Sequence, residues 1–185
     1  FRTCISTLKK AAPSKKKNAR AQKRFLSAKK VFEQVDTIAP CPYTSPMSEN
    51  AFFKWTDDLS VGFCEIDLHH KKLLLILNKF KDSLELSDAD YKAQIGRIIK
   101  DLSDYTEYHF SEEEKFMKTY DCPLYETHRK MHEDFIKQVK RGLPVLVTGN
   151  KQKGAEFCSF LGNWLLNHIA DADHKWAEFI HNEKA

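Results

Sequence analysis

"HFSEEEKFM", residues 109–117, puts a histidine and a carboxylate where a helix core should be apolar. At about 3.6 residues per turn, His109, Glu113, Phe116 and Met117 share one face. That face continues the upstream stripe of Ile95, Ile98, Leu102 and Tyr105. The periodicity predicts a long amphipathic helix. The polar pair in its seam needs a reason.

Three further amphipathic segments surround this one, and no run alternates as a strand does. The first spans about residues 66–86, with Ile66, Leu73, Leu74, Leu77 and Leu84 on one face. The second, which holds the opening stretch, begins near Ser87, where "SDAD" offers an N-cap hydroxyl and an acid three residues on, and runs to about Tyr120. The third opens at "DCP", with Pro123 in its first turn, and closes near Gly142 and Pro144. The fourth follows "TGNKQKG" and carries Phe157, Phe160, Leu161, Trp164, Leu165 and Trp176. Helices of about 20 residues or more form rods roughly 30 Å long. Short connections make them antiparallel neighbours, so the expected fold is all-α, an up-down-up-down four-helix bundle.

Composition frames this reading. The chain has 185 residues, 42% apolar and 30% charged, which suits a soluble globular protein. No stretch approaches the roughly 18 to 20 apolar residues of a membrane span. The net charge of +4 is unevenly spread: residues 1–50 hold 11 Lys and Arg against 3 Asp and Glu, and residues 51–185 hold 19 against 23. Residues 1–50 therefore read as a basic, non-core N-terminal extension or linker, and 51–185 as the bundle. The boundary is "APCPYTSPMSEN", residues 39–50, with three prolines. Within the extension, the Lys-rich run 9–30 reads as a solvated tail, with no strong case for nucleic acid. Phe25, Ala28, Val31, Phe32 and Val35 recur there at helical spacing. Five scattered cysteines without a CxxC pair argue against a disulfide framework and a zinc cluster, and favour a cytoplasmic location.

Histidines recur in every seam. In the third segment Tyr125, His128, His132, Phe135 and Val139 follow one another at three and four, so two imidazoles point the same way from successive turns. In the fourth, His168 lies four after Trp164, and Asp173 lies three before Trp176. The first offers His69 and His70, between which periodicity does not choose. Each histidine alone reads as a hydrogen-bonded core residue. Together, five imidazoles and two carboxylates from four helices form a set of costly burials unless a cation compensates them. They exceed one tetrahedral zinc site and suit two first-row ions bridged by the carboxylates. Ferritin-like sites need Glu-x-x-His pairs on two helices; the sequence has one such spacing, Glu178–His181, and no second.

These stretches, with "WTDDLSVGFCEIDLHHKKL", "YTEYHFSEEEKFM", "HRKMH" and "WLLNHIADADHKW", resemble the hemerythrin family over roughly residues 53–181, most closely its bacterial single-domain form. The resemblance implies two non-haem irons with a bridging oxo or hydroxo group. His128, His132 and His168 would hold one iron, His70 and His109 the other, and Glu113 and Asp173 would bridge them. It selects His70 over His69, since the family usually has Gln before its ligand histidine; His69 is a departure. It further implies that dioxygen is the ligand and binds at the iron with fewer histidines. Phe110, Trp164 and Ile169, adjoining ligands in sequence, are the candidates for a dry pocket lining. A non-enzymatic dioxygen carrier or store, delivering to oxygen-requiring enzymes, is the favoured reading. A sensor module and a di-iron enzyme or iron-handling protein are the alternatives.

Overall fold

The computed structural model describes residues 51–184, so the basic stretch and the helical spacing from Phe25 to Val35 lie outside the described residues. After a short 3-10 turn at Asp57–Leu59, the chain forms α1 (Cys64–Ser83), α2 (Asp88–Thr119), α3 (Tyr125–Leu146) and α4 (Lys151–Asn167). A π-helical turn, His168–Asp173, then joins α4 to α5 (His174–Lys184). Each helix packs on its neighbours in sequence, and α4 closes the ring against α1. This is the four-helix bundle, with α4, the π turn and α5 as its fourth rod. Among the described residues there is no strand, and no helix is long and apolar enough to cross a membrane.

The ends of the helices follow from local chemistry. Ser87 caps α2: its hydroxyl accepts from the Asp90 amide at 3.2 Å and donates to the Asp90 carboxylate at 2.6 Å. At the other end Asp121 takes φ 49°, which lets the Cys122 and Asp121 amides reach back to the carbonyls of Met117 and Lys118. The turn displaces the next helix start from the position expected from sequence. Pro123 lies before α3 rather than in its first turn, and Pro144 falls inside the last turn of α3 instead of ending it. Asn150 caps α4 by accepting from the Lys153 amide at 2.9 Å.

The core runs through Leu73, Leu77 and Phe80 of α1, Tyr91, Ile95 and Leu102 of α2, Phe135 of α3 and Leu161 of α4. An N-terminal arm seals one flank. Asn78, buried on α1, accepts from the Phe53 amide and donates to the Phe53 carbonyl, both at 2.9 Å. The Phe53 ring then sits over Gly162, where a β-carbon would collide with it. Asp67 holds the end of the arm, accepting from Ser60 at 2.5 Å and from the Val61 amide at 2.9 Å. Cys122 and Cys158 are buried free thiols, whereas Cys64 is disulfide-bonded, which the scattered cysteine spacing did not announce.

Candidate metal centre

All four rods deliver buried polar side chains to one point in the bundle. His70 comes from α1, His109 and Glu113 from α2, His128 and His132 from α3, and His168 and Asp173 from the fourth rod; none is more than 6% exposed. The pairs on α2 and α3 are four residues apart, and a regular helix keeps them aligned. His168 and Asp173 are five apart, which on a regular α-helix is a divergence of about 140°. The π turn spans those six residues. Its wider winding returns Asp173 to the side of His168, and their side chains meet at 3.2 Å.

The carboxylates divide the histidines into two sets. Glu113 Oε1 faces His70 Nε2 at 3.4 Å and His109 Nε2 at 3.7 Å, while its Oε2 faces His132 at 3.4 Å and His128 at 3.5 Å. Asp173 repeats the division: Oδ2 faces His70 at 3.2 Å, and Oδ1 faces His128 at 3.3 Å and His168 at 3.2 Å. Two overlapping donor groups result, His70–His109–Glu113 and Glu113–His128–His132–His168, each with ligand atoms within 4.8 Å of one another. Donors about 2.1 Å from a shared six-coordinate ion sit about 3 Å apart. The observed separations match that spacing.

The same atoms lack partners within the protein. Both nitrogens of His70 and of His109, both oxygens of Glu113, His128 Nε2 and Asp173 Oδ2 are buried without a hydrogen bond. His132 Nε2 and His168 Nε2 face each other at 3.0 Å, two ring nitrogens aimed at one spot. Orphaned buried donors and acceptors are rare and destabilising. A pair of cations fits this set, because it would use the orphaned lone pairs together.

Comparison with known proteins agrees with this geometry. Residues 62–180 match the family model described as the hemerythrin HHE cation binding domain, a span containing all seven side chains. The chain belongs to the hemerythrin family. It is 32% identical to a bacteriohemerythrin of Pseudomonas aeruginosa over 70% of this chain and 82% of that one. A bacteriohemerythrin of Clostridium acetobutylicum is 31% identical over 68% of this chain and 99% of its own length. A myohemerythrin of Theromyzon tessulatum is 29% identical over 67% and 90% respectively.

Within this hemerythrin bundle the electrostatics are divided too. Burial drives His109 down to about 3 and His168 down to about 4, so both are neutral near pH 7. Burial acts on His70 in the same sense, but the carboxylates of Asp173 and Glu113 outweigh it and hold the imidazole at about 9. His128 is likewise raised, with Glu113 overcoming burial. Glu113 lies well below the usual carboxylate range: burial pushes it up, and the surrounding imidazoles more than reverse that.

Aromatic rings enclose the hemerythrin site. Phe110 stacks on His132, with centroids 3.6 Å apart, and Trp164 on His168 at 4.3 Å. Both rings therefore lie against the three-histidine set. Phe110 reaches the two-histidine set as well, its ring 5.7 Å from that of His109. Ile169 is fully buried in the core. Three neighbours were not legible as site residues: Trp55 of the arm, stacked 6.4 Å from His70; Glu114, 3.2 Å from His132 Nδ1; and Trp176, whose indole donates to Asp173 at 3.4 Å. Trp55 and Glu114 come to the site by tertiary packing, for which no local spacing gives a signal, whereas Trp176 was legible only as the apolar position three after Asp173. His69 is flanked by Tyr105, Tyr108 and His109, with ring centroids at 6.0, 5.0 and 5.8 Å.

Proposed function

We propose that this domain holds two non-haem irons with a bridging oxo or hydroxo group, and binds dioxygen reversibly for storage, transport or delivery to oxygen-requiring enzymes. The observation that carries the reading is the division of both carboxylates, each giving one oxygen to each histidine set. The ligands would be His128, His132 and His168 on one side, His70 and His109 on the other, with Glu113 and Asp173 shared. When bound, the irons supply the reversible electron transfer that holds dioxygen.

The chain's own residues perform the rest. Four rigid helices fix the donors before the metal arrives, so binding needs little reorganisation. Stacking by Phe110 and Trp164 locks the planes of His132 and His168 and keeps that side apolar. Glu114 accepts from His132 Nδ1 in the tautomer that leaves Nε2 free for a metal, the usual outer partner of a ligating imidazole. A dry enclosure suppresses displacement of the bound gas by water.

The test is iron content together with the visible spectrum of anaerobically reduced protein, before air, in air, and after its removal. Two irons per chain and an absorption band that appears in air and fades on deoxygenation are expected. Irons that oxidise at once with no oxygenated form would overturn the carrier reading in favour of an enzyme or iron-handling protein. A cytoplasmic location and a separate, non-core role for residues 1–50 belong to the same proposal. The location rests on the buried free thiols of Cys122 and Cys158, and the disulfide at Cys64 counts against it; a reduced Cys64 in acid-quenched cells is expected, and its recovery in oxidised form would overturn the location.

A further inference from the structure

Two small cavities lie between α2, α3 and α4, and four residues line both: Leu102, Thr106, Phe135 and Leu161. The outer one, about 20 Å³, is walled by Ile99, Val139 and Phe157 and opens at a rim bearing Ser103, Glu107 and Lys140. The inner one, about 10 Å³, continues past Leu73 and Leu77 to Phe110 and Trp164. Those two rings are the ones stacked on His132 and His168. The two cavities thus lie on either side of four shared side chains, one nearer the bundle surface and one against the rings beside the candidate metal centre.

Their size and lining select an occupant. A cavity must offer roughly 10–15 Å³ and two to four polar partners to keep a water. The inner chamber offers the Thr106 hydroxyl and otherwise apolar walls, too few partners for a water. Water gains little there. An apolar diatomic needs no hydrogen bonds and gains dispersion contact with every wall. Leu102, Phe135 and Leu161 among the shared walls belong to the buried core, so a polyatomic ligand much bulkier than a small gas would have to repack it.

We propose that these chambers are an entry route and holding site for dioxygen as an apolar gas, passing Leu102 and Leu161 and ending at Phe110 and Trp164. The proposal rests on the dioxygen-binding reading above. Phe110 forms the inner end because its ring stacks on His132 at 3.6 Å and lies 5.7 Å from the ring of His109. A hop of that one side chain connects the inner chamber to the centre.

Xenon is the probe, applied to the full iron-loaded chain. Xenon under pressure should occupy the outer chamber, seen in a crystal or as a ¹²⁹Xe shift that Leu161→Phe removes. Absence of xenon between Val139 and Leu161 would overturn the proposal. In stopped flow, Leu161→Phe should slow both dioxygen uptake and release by about tenfold, leaving the equilibrium affinity and the iron content unchanged. Val139→Phe, at the half-buried outer wall, gives a second blockage that spares the deep core. Unaltered uptake in both variants would equally overturn the route. Xenon bound in a chain that forms no oxygenated species would keep the chambers as an apolar-gas site and sink only the reading beneath them.

Discussion

Asn78 and His70 stand on the same helix, α1, and both are buried, yet their polar atoms fare differently. Asn78 spends its amide on both backbone groups of Phe53, and Asp67, further back on α1, is likewise filled by Ser60 and Val61. His70 has neither ring nitrogen hydrogen-bonded, and it faces Glu113 and Asp173, which carry orphaned oxygens of their own. The first kind of burial is complete within the chain and fixes the arm to the bundle. The second is complete only with something added. Between these residues, satisfaction rather than burial marks the difference.

The contrast can be broken most severely at Glu113, which both donor groups share. Glu113→Ala should reduce iron well below two per chain. Leaving the remaining ligands buried and unpaired costs about 3–5 kcal/mol, a fall in Tm of roughly 10–15 °C. Normal iron content in this variant would remove Glu113 from the ligand set. Asn78→Ala tests the other class. Two backbone groups of Phe53 lose their partners, for about 2 kcal/mol and roughly 5 °C in Tm, while iron stays at the wild-type level. Iron loss on that substitution would show that the arm helps to shape the centre.

A smaller effect reads the charge state of the site. With its pKa raised to about 9, His70 is protonated near pH 7 in the metal-free protein, and ligation needs the neutral ring. Metal loading at pH 7 should therefore release at least about one proton per chain, with that contribution fading as pH rises through about 9. Titration calorimetry in buffers of different ionisation enthalpy measures it, and pH-independent release would contradict the assignment. The smallest effect belongs to the tail. Removing residues 1–46 should leave iron content and the oxygenated spectrum unchanged, and loss of either would join the tail to the domain.

Much of the architecture was legible because bundles are written in periodicity. The seams of α2 and α3 could be read at three and four, and His109, Glu113, His128 and His132 fell out as inward-facing from spacing alone. Asp173 could not be tied to His168 in that way, since five residues is no α-helical repeat. The choice of His70 over His69 also needed the resemblance, and the structure places His70 beside both carboxylates and His69 among tyrosines. Trp55 and Phe53 were beyond reach because their positions depend on where the arm docks. That is set by Asn78 and Gly162, residues that carry no signal until the helices are packed.

The π turn has a consequence for how this helix tolerates change in length. A π turn holds one residue more than an α turn over nearly the same stretch of axis. Removing one residue from 169–172 would let the rod close into a regular helix, with His168 and the aspartate four apart and Trp176 and Ile180 still facing inward. The same deletion anywhere else in the rod would swing everything beyond it by about 100°. The fourth helix thus has one place where its length can drift by a residue without rotating its core, and that place lies between two of the side chains proposed as ligands.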